Sequence, residues 1–176
     1  MAIDRQKTET VHWHAVFTAS RAEKKVRDRL EELGVECFLP VQTVLRQWTY
    51  RKSRVVVPVI AGLVFVRVGR QEQVKVLQTK GVVAFLRLKG EAGAAVIPDK
   101  QMEDFRFLLD FSEEAVEMTN ENIKAGDLVR VVKGSLRGME GELIRHKGVT
   151  KVLVRIDMLG LSLIHISEPT RHAQIS

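Results

Sequence analysis

The residues best able to hold a metal ion or act as nucleophiles are five histidines and a single cysteine. His12 and His14 stand two apart, on one side of a strand, while His146, His165 and His172 are scattered. Two imidazoles fall short of the three or four protein ligands of a metal centre, so His14 is expected at a half-exposed strand position beside Trp13. Cys37 lies between Glu36 and Phe38 with no basic activator beside it, which points to a buried thiol rather than a nucleophile. One cysteine cannot form an internal disulfide. The glycine-rich phosphate-binding patterns and the paired-histidine zinc motif do not occur. The sequence therefore predicts no catalytic residue, no metal and no cofactor, and a function other than that of an enzyme.

Binding chemistry is better represented. The 176 residues carry 28 Lys and Arg against 22 Asp and Glu, a formal charge of +6, which favours polyanionic partners. Two groups of cations stand out. Arg21, Lys24 and Lys25 lie on the wet face of a predicted helix, and Arg51, Lys52 and Arg54 fill a predicted hairpin tip. Both can meet a polyanion such as nucleic acid, whose phosphates reward basic side chains whatever the base sequence, and the tip can alternatively approach a protein partner. A solvated helix face and a charged, solubilising tip are the alternatives.

The elements that must position these groups follow from periodicity. Trp13, Ala15 and Phe17 alternate with His14, Val16 and Thr18, the pattern of a strand with one buried face. Ser20 and Glu23 have capping-box spacing, which predicts a helix from Arg21 with Ala22, Val26, Leu30 and Leu33 as its stripe and Gly34 ending it. Short β-like runs follow over 36–39, 43–50, 54–59 and 63–68, then an apolar stretch over 82–88. Asp99 caps a second amphipathic helix with Met102, Phe105, Leu108 and Leu109 on its stripe. Residues 112–124 are polar and acidic and read as a linker. Beyond them come two β runs, 127–133 and 151–158, with turns at Gly134, Gly138 and Gly141. The predicted organisation is a loose tail over 1–11, an α+β domain over 12–111, the linker, and a small all-β unit over 125–160. No run is long enough for a membrane helix and the N-terminus has no signal-like apolar core, so the expected location is the cytoplasm.

Several of these segments resemble one family. W-H-A-V-F (Trp13 to Phe17), the helix after it, E-C-F-L-P and P-V-I-A-G-L-V-F-V (Pro58 to Val66) are similar in order and spacing to the N-terminal domain of NusG-type transcription elongation factors. A-G-D-L-V-R-V-V-K-G-S-L-R-G-M-E-G (Ala125 to Gly141) resembles a KOW motif. E-C-F-L-P and I-P-D-K-Q-M (Ile97 to Met102) are most similar to specialised antiterminators of capsular polysaccharide operons in Bacteroides-like bacteria. The resemblance implies an antiparallel sheet flanked by helices, a small KOW barrel, and a factor that binds the clamp region of RNA polymerase and suppresses pausing or termination. It assigns polymerase binding to Phe17, Ile60, Gly62, Leu63 and Phe65, with Ala61 and Leu63 departing from the residues common in the family. It sets Arg21, Lys24 and Lys25 against non-template DNA or nascent RNA. Met158 and Leu159 fall where the KOW unit of the general factor meets ribosomal protein or Rho. The rival reading is an RNA-binding or ribosome-associated KOW protein, working through the cations of 127–151.

Residues 161–176 do not resemble the family's closing strand, and Leu161 to Arg171 can be back-translated into a sequencing-library adaptor. An adaptor origin predicts a truncated KOW unit, and it predicts that Ile164 and Ile166 find no stable partner strand.

Overall fold

The computed structural model describes residues 10–111, 117–119, 126–130, 140–146, 149–156 and 161–165. They fall into two compact units. The first comprises the chain up to Leu39 together with Gly62–Pro98, and the second comprises Pro40–Ala61 together with the chain from Asp99 onward. The chain leaves the first unit at Pro40 and returns to it at Gly62.

The first unit is built on β1 (His12–Thr18), β2 (Glu36–Phe38), β5 (Leu63–Val68) and β6 (Val82–Phe85), in the antiparallel order β2-β5-β1-β6. The register pairs His14 with Val66, Ala15 with Phe65 and Phe17 with Leu63. Helices α1 (Glu23–Glu32) and α2 (Gln73–Gln78) lie on the face that carries His14, Val16, Val64 and Val66. Trp13 to Val16 are all buried, so both faces of β1 are covered along its middle. The single buried face expected from alternation is therefore not what forms, and His14 is enclosed where exposure was expected.

Helix α1 begins two residues later than its capping-box spacing predicts. Its N-cap is Ala22, with no side-chain cap bond. At the other end the Val35 amide donates to Leu30 O and the Gly34 amide to Glu31 O, a Schellman motif with Gly34 in the expected left-handed conformation. Val26 and Leu30 are fully buried, whereas Leu33 of the predicted stripe is exposed at the C-cap. α2 was not foreseen, since six residues give too little periodicity to register.

In the second unit, β3 (Val41–Trp48) and β4 (Arg51–Pro58) form a two-stranded hairpin. Helix α3 (Asp99–Phe111) takes Asp99, expected as its cap, as its first residue and buries Met102, Phe105 and Leu108. Strands β7 (Glu117–Thr119), β8 (Asp127–Arg130), β9 (Glu140–His146), β10 (Val149–Ile156) and β11 (Leu161–His165) make an antiparallel sheet ordered β7-β11-β10-β9-β8. Gly141, expected in a turn, sits within β9 opposite Val129. Ile164, expected to find no partner, pairs with Leu153 of β10. The reason is that β10 offers an open edge, and 161–165 has enough β-prone apolar character to satisfy it. Ile166 lies outside the described residues.

Candidate functional site

The resemblance places its docking surface at the turn that enters β5. The hairpin base closes when the Val59 amide donates to Pro40 O at 2.8 Å, and the chain then bends through Ile60 and Ala61 to Gly62. Gly62 adopts φ +73°. A Cβ there would find only Thr18 O, at 3.8 Å, so it is the left-handed backbone and not space that asks for glycine. Both peptide groups of Gly62 are used. Its carbonyl accepts from the Thr18 amide at 2.9 Å, and its amide donates to Glu23 Oε1 at 2.7 Å.

Glu23 therefore does not reach back to Ser20. Its carboxylate, buried with its residue only 7% exposed, ties the first turn of α1 to the Gly62 turn. The carboxylate also lies at the positive end of the α1 dipole. The sequence signal that could have revealed this was an acidic residue in the first turn, read instead as half of a capping box.

Phe17 stands beside this turn and is 42% exposed. Its neighbours across the sheet are Leu63 of β5 and Ala84 of β6, and Ala84 is also exposed. Leu63 and Phe65 are buried, at 4% and 0% exposure, and the Phe65 ring lies 6.3 Å from that of Phe38. Of the five residues, Phe17, Gly62 and Leu63 come together at one end of the sheet. Only Phe17 offers a partner an open side chain there. Leu63 and Phe65 are core, because their register sets them on the buried face with Phe17 and Ala15. Ile60 is half-buried in the bend after β4.

The cations are exposed but do not lie as the sequence suggested. Arg21 precedes α1 in a left-handed conformation, φ +58°, while Lys24 and Lys25 belong to its first turn. Elsewhere on α1, Arg27 pairs with Asp28 at 2.6 Å and reaches Glu31 at 4.0 Å, so that flank is internally neutralised. The hairpin turn is Thr49–Tyr50, and Arg51, Lys52 and Arg54 are the leading residues of β4 opposite Trp48, Gln47 and Leu45. Met158 and Leu159 lie outside the described residues.

The candidate reactive side chains are structural. His14 is 3% exposed, donates from Nδ1 to Ala95 O at 2.8 Å, and packs edge-on against Phe85. With Nδ1 protonated, Nε2 faces the Gln73 amide at 3.5 Å, so the neutral ring is accommodated on both nitrogens. Burial holds its pKa below the ordinary 6.5, outweighing the bond to Ala95. The Cys37 thiol is pushed up to about 11 by burial and by Glu31, and lies 3.7 Å from Arg27 O, to which it donates. A thiol so protonated is a poor nucleophile. Among the described residues no cluster of three or more His, Cys, Asp or Glu could hold a metal, and no helix is long and apolar enough to cross a membrane.

The described residues thus combine an antiparallel sheet with helices on one face, a clamped glycine turn beside an open aromatic ring, and exposed cations. The sequence profile described as transcription termination factor nusG matches residues 11–106, more than half of the chain, and the chain belongs to the NusG family of transcription factors. Among solved structures it is similar to Thermotoga maritima NusG, at 21% identity and a TM-score of 0.48, covering 92% of this chain and 98% of that one. It is also similar to the MjSpt4:Spt5 complex in its conformation B, at 17% identity and a TM-score of 0.30, covering 88% and 97%. A search of curated proteins finds no match.

Proposed function

We propose that this chain is an elongation and antitermination factor that docks on the clamp region of bacterial RNA polymerase through the surface around Phe17 and Gly62. The observation that carries the reading is Phe17, an open aromatic ring whose setting is fixed by backbone bonds at Gly62 and by the Glu23 carboxylate. Buried aromatic anchors of this kind dominate interface energetics. No bond need be made or broken. A factor that binds the closed clamp 100-fold more tightly than the open one shifts that equilibrium by about 2.7 kcal/mol, which suppresses pausing by population alone. Arg21, Lys24 and Lys25 follow exposed non-template DNA or nascent RNA. The C-terminal strands close as a KOW barrel whose Met158 and Leu159 meet ribosomal protein or Rho. The target genes are polysaccharide biosynthesis operons, a reading supported by the E-C-F-L-P and I-P-D-K-Q-M segments.

The test is affinity for bacterial RNA polymerase. Phe17→Ala should weaken binding by about tenfold or more, with an unchanged circular dichroism spectrum because the ring is already partly in solvent. Leu63→Asp is unsuitable, since a carboxylate forced into the core would unfold the domain. Undiminished affinity of a folded Phe17→Ala variant would remove the docking surface from this end of the sheet.

A further inference from the structure

The β3–β4 hairpin has a composition that polymerase docking at Phe17 does not explain. No Asp or Glu occurs anywhere between Glu36 and Glu72, yet the hairpin carries Arg46, Arg51, Lys52 and Arg54. All four are exposed, and none pairs with a carboxylate among the described residues. Interleaved with them are large exposed rings, Trp48 at 60% and Tyr50 at 98% exposure, with Leu45 at 70%. The register makes Trp48 the cross-strand neighbour of Arg51, with Arg46 and Ser53 paired next on the same face. Lys52 and Arg54 share the opposite face with Gln47 and Leu45. The ribbon thus presents cations on both faces and two aromatic rings at its distal end.

We infer that the distal end of this hairpin, Trp48 and Tyr50 with Arg46, Arg51, Lys52 and Arg54, is a binding site for single-stranded nucleic acid, with the rings stacking on bases and the cations meeting the phosphates. Aromatic rings interleaved with unneutralised cations are the combination that single-strand binding uses, because every base has a face on which to stack. In a duplex those faces are already covered by neighbouring base pairs, so the rings would gain nothing there. An anionic lipid surface would draw the same cations. The rings are flanked by Gln47, Thr49, Arg51 and Lys52, however, so no continuous apolar patch exists to enter a bilayer. The site is independent of the polymerase surface and is tested without polymerase.

The protein contains its own reporter. Of its two tryptophans, Trp13 is 4% exposed and Trp48 is 60% exposed, so quenching by a nucleic acid reports on the hairpin. The full chain is titrated with oligothymidylate, which forms no duplex of its own, and separately with a duplex of equal length and with vesicles containing phosphatidylserine. Saturable quenching by oligothymidylate is expected, with a log–log salt slope of magnitude about 3 for four single-strand phosphate contacts. By anisotropy of a labelled oligonucleotide, Trp48→Ala and Tyr50→Ala should each weaken binding about tenfold, while Trp48→Phe stays within a few-fold. Absence of quenching, equal affinity for the duplex, binding confined to the vesicles, or full affinity in Trp48→Ala would each overturn the assignment.

Discussion

Replacing Glu23 tests the clamp on which the docking surface depends. Glu23→Ala removes a charge-assisted hydrogen bond to the Gly62 amide at 2.7 Å and a negative charge at the start of α1. A hydrogen bond to a charged acceptor contributes about 1.5–3 kcal/mol, and the charge at the helix N-terminus about 0.3–1 kcal/mol more. Gly62 is only partly buried, so water recovers some of the lost bond. The expected destabilisation is about 2 kcal/mol for Glu23→Ala and about 1 kcal/mol for Glu23→Gln, which keeps an acceptor oxygen but loses the charge. With a urea slope of about 2 kcal/mol/M, the alanine variant should lose about 1 M in its denaturation midpoint. Amide exchange supplies the local readout. The Gly62 amide should lose protection in Glu23→Ala, while the Thr18 amide, bonded to Gly62 O, follows only if the turn itself moves. A midpoint within about 0.2 M of the parent, combined with a Gly62 amide still protected, would show that Glu23 does not hold this turn.

Two further substitutions probe the core of the same unit. At Gly81, φ is +101° and an added Cβ would lie 2.8 Å from Val26 Cγ2, a fully buried side chain, so strain and overpacking combine and Gly81→Ala should cost about 3 kcal/mol. A loss under about 1 kcal/mol in urea denaturation would contradict that packing. His14 titrates with the opposite sign from a salt-bridged histidine. Its folded pKa lies below the ordinary 6.5, so as pH falls the unfolded chain takes up the proton first. The stabilisation is complete above about pH 6.5 and is lost as pH drops toward the folded value. His14→Gln should flatten the fall in denaturation midpoint over that window, and an unchanged pH profile would rule out His14 as its source.

The elements with strong local signals were legible in the sequence. The Schellman ending at Gly34 depends on residues within one turn of the chain and appears where they predict, and α3 begins within one residue of the start its polar-to-apolar pattern implies, with Asp99 in its first turn and not as its cap. Residues whose partners are remote misled. Ser20 and Glu23 satisfy the capping spacing, but Glu23 finds a better donor in Gly62, thirty-nine residues away. His14 alternates like a surface residue and is buried because helices and the Ala95 segment cover that face. The candidate docking residues divide for the same reason. Phe17, Leu63 and Phe65 all carry an apolar side chain in a strand, and only the position of each along the sheet decides that Phe17 meets solvent. The hairpin turn fell two residues earlier than the cationic cluster suggested, because charge marks exposure and not the point of reversal.

The strand orders carry a consequence for synthesis on the ribosome. β1 and β2 leave the ribosome first, yet neither has a partner until β5 follows and pairs with both. The same relation recurs downstream, where β7 gains its described partner only when β11 arrives, and β11 simultaneously extends β10. The two larger sheets are therefore completed by a latecomer that joins strands already made, and the closure entropy of the intervening chain must be met before those pairings are gained. A nascent chain paused just before Leu63 would hold the apolar β1 unpaired, and one paused before Leu161 would leave the edges of β7 and β10 open. Those two points are where association with other nascent chains should be most frequent.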